Sequence, residues 1–316
     1  MKLPKGSPPP EKDFHLTLLR AYIDSANDGI FIVCDEMKFH VANHLLAKWL
    51  GESEKSLTAH KQRLPITRFF GDAESKKLFK NKFQAVLDGK PARFECRLKP
   101  KHGEPRWVEI SMNKVGLEAG DLFIGVVRDI TERREILAEA HHHARHDDLT
   151  GLFNRREFEK RLNELFESAK IRNLRHALLY VDLDQFKIVN DTCGHMAGDE
   201  LLRQIAARTH KQVRKKDTFA RLGGDEFGVL LENCQMEQAM EIAEKLRQSI
   251  AGFRFKCNDR LFDISASIGA CEITQATESP ATILSNADTA CYVAKDKGRN
   301  RVQLFYGGRD YMLNRG

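Results

Sequence analysis

The segment Arg106 to Met112 alternates apolar and polar residues from Val108 onward, the pattern of a strand with one buried face. Around it lie runs of similar length: Ala92 to Leu98 before it, Leu122 to Asp129 after it, and earlier Gly29-Ile30-Phe31-Ile32-Val33 and Phe39 to Val41. Between the early and late strands, Leu45, Leu46, Trp49 and Leu50 recur at helical spacing, as do Leu78, Phe79, Phe83, Val86 and Leu87. With a short helix from Phe14, residues 14–130 therefore predict an antiparallel sheet flanked by helices.

A second unit begins with a helix over Arg156 to Ala169, followed by strand Ala177 to Asp182 and helix Gly198 to Val213. Then come two apolar runs around Gly223-Gly224, helix Met236 to Ile250, strand Phe262 to Ala270, helix Pro280 to Ala294 and strand Arg301 to Phe305. Its β-α-β-β-α-β heart predicts a ferredoxin-like layout over residues 147–306, so the fold class is α+β. Residues 1–13, with three prolines in succession, read as a disordered tail, and 307–316 as a second tail. Between the units, 131–146 carries no glycine or proline; Thr131 is placed to cap it, and Ile136, Leu137 and Ala140 form a narrow apolar stripe. That stripe suits a short two-chain coiled coil, with a solvated linker helix as the alternative.

Composition changes this picture little. The chain has 316 residues, 41% hydrophobic and 30% charged, which suits two globular domains. No apolar run is long enough to cross a bilayer and the start lacks the apolar core of a signal peptide, so a cytoplasmic protein without membrane contact is expected. The 7 cysteines show no C-x-x-C spacing and argue against a disulfide framework. A net charge of +6 could serve nucleic acid, but the basic residues are interleaved with acids; a phosphate-rich substrate explains the balance, and no nucleic-acid partner is expected.

Chemistry concentrates in Arg221-Leu222-Gly223-Gly224-Asp225-Glu226-Phe227. Two glycines between apolar runs predict a hairpin with two carboxylates at its tip, able to hold a divalent metal while the bare backbone admits a nucleotide. An ordinary polar turn uses the same residues. Four further segments decide between them: Asp148 to Arg156; Asp182-Leu183-Asp184-Gln185-Phe186-Lys187 with Asn190-Asp191; Gly194 to Asp199; and Ala294 to Asn300. In this order and spacing, residues 147–306 resemble the GGDEF-domain diguanylate cyclases, which condense two GTP into cyclic di-GMP. Residues 14–130, closing in Asp129-Ile130-Thr131-Glu132-Arg133, resemble a PAS sensor domain.

The resemblance implies a palm-like fold shared with nucleotide cyclases and a homodimer in which each half holds one GTP. It implies two divalent cations, Mg²⁺ or Mn²⁺, per half-site, held by Asp182, the Leu183 carbonyl, Asp225 and Glu226; Asp225, Glu226 and Lys187 are the catalytic positions. Three acids can converge, because the first strand and the hairpin are central neighbours in a ferredoxin-like sheet. Phe186, Asn190, Asp199, Gly223, Gly224, Lys295 and Arg299 match substrate-binding positions. Guanine needs an acceptor for its N–H groups and a donor for its acceptor side, which Asp199 and Asn190 supply; read without the resemblance, Asp199 caps a helix starting at Glu200 and Asn190 sits in a loop turn. Lys295 and Arg299 share a helical face if the helix reaches that far.

Arg214-Lys215-Lys216-Asp217 matches the family's R-x-x-D inhibitory site for cyclic di-GMP, completed by Lys245 or Arg247; a charged helix end is the plainer reading. His142 and His146, four apart, could ligate Zn²⁺ or lie exposed on the linker helix. For the PAS half the ligand is unknown: the light-sensing cysteine motif is absent, and a haem would need a histidine such as His60. Arg309 to Arg315 resembles the lead into an EAL phosphodiesterase domain, but no Glu-Ala-Leu occurs. The other class of function is a silent GGDEF module that only binds GTP or cyclic di-GMP. Such modules usually carry a damaged hairpin, and this one is intact.

Overall fold

The structure, a computed structural model, describes residues 11–59, 63–100, 104–117 and 120–306. His60, residues 1–10 of the expected tail, the expected tail 307–316 and Arg309 to Arg315 lie outside these residues. Two compact units divide between Ala138 and Glu139.

In the first unit, helix α1 (Glu11–Ser25) leads into a five-stranded antiparallel sheet. Its strands are β1 (Gly29–Val33), β2 (Phe39–Ala42), β3 (Ala92–Leu98), β4 (Arg106–Leu117) and β5 (Gly120–Asp129), in the order β2-β1-β5-β4-β3. Helices α2 (His44–Leu50), α3 (Glu54–Thr58) and α4 (Ala73–Leu87) and a 3₁₀ turn at Ile66–Phe69 lie between β2 and β3. Glu11 to Asp13, expected in the tail, are instead the first turn of α1: the prolines end at Pro10, and Glu11 and Asp13 suit a helix N-terminus. Alternation along β3 buries Ala92, Phe94, Cys96 and Leu98 and exposes the residues between. The buried face is filled by aromatic rings: Phe39 meets Phe31 and Phe69, Phe79 meets Phe83 and Phe94, and Phe83 meets Phe123. Phe31 lies so close over Gly125 that an added Cβ would fall 2.0 Å from the ring. Buried Asn43 stitches the unit's entry, capping α2 through Leu46 N, accepting from Ile30 N and donating to the carbonyls of Ile23 and Asp28.

Helix α5 (Thr131–His143) follows β5. Thr131 does not cap it as expected. Its hydroxyl accepts from Trp107 N at 2.9 Å, and the Asp129 carboxylate, which also pairs with Arg106, accepts from Thr131 N. Arg134 stacks on the Trp107 ring at 3.8 Å, so the first turn is tied to β4. The helix stops three residues short of the expected His146, because the Asn154 amide takes up the carbonyls of His143 and His146.

The second unit holds α6 (Arg155–Arg172), β6 (His176–Asp184), α7 (Phe186–Cys193), α8 (His195–Thr209), β7 (Thr218–Gly223), β8 (Glu226–Leu231) and α9 (Met236–Ala251). It ends with β9 (Arg254–Cys257), β10 (Arg260–Asp263), β11 (Ser265–Ile273), α10 (Pro280–Asp296) and β12 (Val302–Leu304). The main sheet runs β12-β11-β6-β8-β7, and its β11-β6-β8-β7 part is the ferredoxin-like order. β6 is buried along its whole length, as a central strand covered on both faces must be. Leu179, Val181 and Leu183 face the core with α8 and α9; Leu178 and Tyr180 face the core with α6 and α10. α10 approaches β11 closely enough that a Cβ on Gly269 would fall 2.0 Å from the Ala287 carbonyl oxygen.

Three expectations shift here. α8 starts at His195 rather than Gly198. The single strand expected over 262–270 is broken at Ile264 into the end of β10 and most of β11, and Asn258 and Asp259, both with left-handed φ (48° and 61°), fold an unexpected β9 against β10. A short helix, α7, stands where a loop turn was one reading of Asn190.

Candidate functional site

The Gly223-Gly224 turn owes its glycines to backbone conformation and not to crowding. Gly224 has φ 50° and Gly223 φ 154°, and a Cβ on either would meet nothing within 4 Å. Arg221 braces the turn, donating to the Gly224 carbonyl at 2.9 Å and pairing with Asp147 at 3.2 Å. Asp147 is itself held by the amide and hydroxyl of Thr150. Neither Arg221 nor Asp147 was expected at the site; their 74-residue separation hides the pairing from sequence reading.

The turn lies beside the end of β6. Asp182 pairs directly across from Glu226, and Leu183 N donates to the Asp225 carbonyl at 3.3 Å. Asp182 is buried, and burial chiefly pushes its carboxyl up to about 6; the charges of Asp225 and Glu226 push the same way, while Lys295 opposes them. Lys295 Nζ sits 2.6 Å from Asp182 Oδ2. Burial pulls the Lys295 ammonium down, but its bond and attraction to Asp182 outweigh that and the net direction is up. Burial, and then a hydrogen bond to Glu226, push the Tyr180 phenol well up, so its protonated hydroxyl steadies Glu226.

Among the described residues no group of three His, Cys, Asp or Glu side chains is gathered as a metal cage. The three acids instead repel across the strand end, and a lysine supplies the positive charge. The donor set still fits a hard divalent ion, since the three acids and the strand-end carbonyls offer oxygen ligands and their charge exceeds the single one that Lys295 supplies.

Beyond β6, Gln185 takes φ 59° and α7 begins at Phe186, which packs on the core, while Lys187 is exposed. Asn190 lies one turn further on. Its Oδ1 is buried and has no hydrogen-bond partner among the described residues, an uncommon and costly state for a side-chain acceptor. The cradle is Gly198 of α8, where an added Cβ would fall 1.9 Å from that oxygen. Asp199, next in α8, is partly exposed. It lies in the second turn of a helix starting at His195, so the capping reading is overturned. Asn190 and Asp199 are thus presented by adjacent helices.

Lys295 is in the last turn of α10, but Arg299 is not on that helix. The chain leaves α10 at Asp296 and runs through Gly298, Arg299 and Asn300 with φ of 105°, 60° and 46°. The expected shared helical face does not exist, because Gly298 breaks the helix first.

At the expected inhibitory site, exposed Arg214 accepts Asp217 N on its carbonyl, and buried Asp217 accepts Glu232 N at 3.1 Å. Lys245 is exposed on α9; Arg247, two residues on and so about 200° round the helix, is committed to Glu244 and to Asn300 Oδ1 at 2.6 Å. Arg247 belongs to the turn after α10 and not beside Arg214. His142 stacks on His146 with ring centroids 4.3 Å apart, and His146 on Phe153, with His146 Nδ1 bonded to the Gly151 carbonyl oxygen. These rings pack face to face and do not converge as ligands.

A ferredoxin-like sheet with an acidic hairpin beside a strand-end aspartate defines the class of the second unit. The sequence profile described as "Diguanylate cyclase, GGDEF domain" matches residues 144–301, and that described as "PAS fold" matches residues 23–135. The chain belongs to the GGDEF family, with an N-terminal PAS-fold region. It is 33% identical over 293 residues to the probable diguanylate cyclase DgcE of Escherichia coli (strain K12), covering 92% of this chain and 26% of that protein. It is 34% identical to diguanylate cyclase DgcM of the same organism, covering 67% of this chain and 50% of DgcM. The chain therefore spans between a quarter and a half of these relatives. Among solved structures, the coiled coil and GGDEF domain of DgcB from Caulobacter crescentus, in complex with c-di-GMP, superposes with a TM-score of 0.52 at 29% identity, covering 55% of this chain and 93% of that one. No helix among the described residues is long and apolar enough to cross a membrane.

Proposed function

We propose that this chain is a PAS-regulated diguanylate cyclase that converts two GTP into cyclic di-GMP and two pyrophosphates. In each half-reaction a 3′-hydroxyl loses its proton, a bond forms from its oxygen to the α-phosphorus of the other GTP, and the bond to the β-phosphate oxygen breaks. The observation that carries the reading is the buried, unpartnered Oδ1 of Asn190 in its Gly198 cradle. An acceptor left open at that depth is matched by an N–H donor on a ligand, and guanine offers two kinds. Asp199 on the adjoining helix accepts the remaining guanine donors, and Phe186 lines the base.

Asp182, the Leu183 carbonyl, Asp225 and Glu226 would hold Mg²⁺ or Mn²⁺, two per half-site. When bound, those ions supply Lewis-acid charge to the attacking and leaving oxygens. Asp225, at the hairpin tip, faces the incoming hydroxyl and directs its proton away; Tyr180 keeps Glu226 oriented. Gly223 and Gly224 leave room along the backbone for the phosphates. Lys187, Lys295 and Arg299 balance the triphosphate charge. Lys295, paired with Asp182 here, would be free to turn to the phosphates wherever a cation neutralised that carboxylate.

Because each half holds one GTP, the active form is a homodimer. Ile136 and Leu137, exposed on α5, supply the apolar stripe for pairing. Arg214, Asp217 and Lys245 form the feedback site for cyclic di-GMP.

The test is incubation of the purified chain, stripped of nucleotide, with GTP and Mg²⁺, and detection of product by chromatography and mass. Cyclic di-GMP from the wild type, absent with Asp225→Asn/Glu226→Gln, is the expected result. No product at high protein concentration would overturn the cyclase reading in favour of a module that only binds.

A further inference from the structure

Asp184 closes β6 two residues beyond Asp182, and the site as described gives it no task. It is 6% exposed, and among the described residues no ion pair reaches it. Its Oδ1 accepts from Ser267 Oγ at 2.7 Å; its Oδ2 accepts from Ser265 Oγ at 2.6 Å and from the backbone N–H of Asn300 at 3.0 Å. A buried carboxylate satisfied by neutral donors alone is a costly device for joining two strands that already share a full ladder. The third donor is the informative one.

Asn300 ends the run of positive φ that begins at Gly298, and both Arg299 and Asn300 are in the left-handed region. Asn tolerates that region but a long side chain such as that of Arg299 does not enter it readily, so the turn needs anchors. The near side of the turn closes onto the end of α10, where Arg299 N donates to the Ala294 carbonyl at 3.0 Å. Its far side is held from other elements: Asp184 grips its backbone from the sheet, and Arg247 grips the Asn300 side chain from α9 at 2.6 Å. Arg299, between Gly298 and Asn300, is thereby aimed by a turn strung between the end of α10 and the end of β6.

We propose that Asp184 is a positioning residue: it pins the Gly298–Asn300 turn to the strand end that carries Asp182, and so fixes Arg299 to receive the triphosphate of a nucleotide. The identity of that nucleotide rests on the cyclase reading; the clamp itself rests on the hydrogen bonds. One strand end then sets the spacing between the acidic and the cationic parts of the site.

The experiment uses the full chain and 3′-deoxy-GTP, which lacks the attacking hydroxyl and so reports binding without turnover. With Asp184→Asn, the dissociation constant measured by calorimetry and the KM for GTP should both rise about tenfold, the scale of one charge-assisted phosphate contact, while kcat changes by less than about threefold. Arg299→Ala should weaken binding similarly, and the double variant should be no weaker than Arg299→Ala alone. Binding within about twofold of wild type in Asp184→Asn, or fully additive losses, would overturn the proposal. Should Asp184→Asn fail to fold, Ser265→Ala removes one donor from the same Oδ2 atom. It should raise the dissociation constant about two- to threefold, and only when Arg299 is present; no change, or the same change without Arg299, counts against the clamp. A wild type that neither binds 3′-deoxy-GTP nor makes product sinks the cyclase reading itself, whereas normal wild-type binding with an indifferent Asp184 variant sinks this inference alone.

Discussion

Two five-stranded sheets in this chain use their buried faces in opposite ways. In the first unit the inner face is closed by phenylalanine rings, and its buried polar residues, Asn43 and Ser75, serve helix N-termini. In the second, the middle strand ends in buried Asp182 and Asp184, with Glu226 across the ladder and an open amide oxygen on the next helix. Good packing removes reasons for a ligand to enter, and poor electrostatic satisfaction creates them. The first sheet is built to be full; the second is built to be completed.

The sharpest way to break this contrast is to remove the acids. Asp225→Asn/Glu226→Gln should lower cyclic di-GMP formation by at least about a thousandfold, the scale of losing charge stabilisation at a transition state. Thermal midpoints should stay within a few degrees, since neither side chain is in the core; a collapse in stability would mean the hairpin acids hold the fold and not the ligand. Next in size is Gly198→Ala. Its Cβ would fall 1.9 Å from Asn190 Oδ1, and the displaced amide should cost about ten- to a hundredfold in GTP affinity, measured with 3′-deoxy-GTP. Unchanged affinity would remove Asn190 from the guanine site.

The same contrast explains what could be read from the sequence. Alternation in β3 and β4, and the order of elements around Gly223-Gly224, are local signals, and each observed strand lies where its pattern stands. Local signals also located Asp182, Asp225 and Glu226. What escaped were residues whose meaning is set by distant partners: Asp184 through serines 81 and 83 positions away, Arg221 through Asp147, and Gly198 through the side chain it seats. Arg299 misled because four-residue spacing resembles a helical face until Gly298 reverses the backbone. The Asn258-Asp259 turn went unread, and with it β9; the strand expected over 262–270 ran the end of β10 and most of β11 together.

The full sheet has its own test. Both tryptophans, Trp49 and Trp107, lie in the first unit, so fluorescence excited selectively at tryptophan follows that unit alone. Gly125→Ala would drive a methyl to 2.0 Å from the Phe31 ring, and overpacking of this kind costs about 1–3 kcal/mol. The fluorescence-detected midpoint in urea should fall accordingly. An unmoved midpoint would mean the aromatic interior has slack, and with it room for a small molecule.

The smallest effect separates a buried titratable group that serves the fold from those that serve the site. His176 is fully buried at the start of β6, the end opposite Asp182. Asn233 N donates to its Nδ1 at 3.0 Å, which leaves the proton on Nε2, 2.8 Å from Ser168 Oγ. Burial pulls its pKa below the ordinary 6.5. The unfolded chain therefore binds the proton more readily: the stability His176 contributes is complete above about pH 6.5 and is lost as pH falls from there through the folded value. One proton bounds that slope at about 1.4 kcal/mol per pH unit. Glu157, held down to about 2 first by Arg145 and also by Arg161, acts only as pH falls below 4.5, so a scan from pH 7 to 5.5 excludes it, and the His176 variant is what separates the histidine from Asp182 at the other end of β6. Protection of the Asn233 amide, taken relative to its own pH-dependent intrinsic exchange, should fall across that window in the wild type and stay flat in His176→Gln. An unchanged pH response in the variant would assign the acid sensitivity to the strand end with Asp182 instead, and the two ends of β6 would then differ less than their hydrogen bonds suggest.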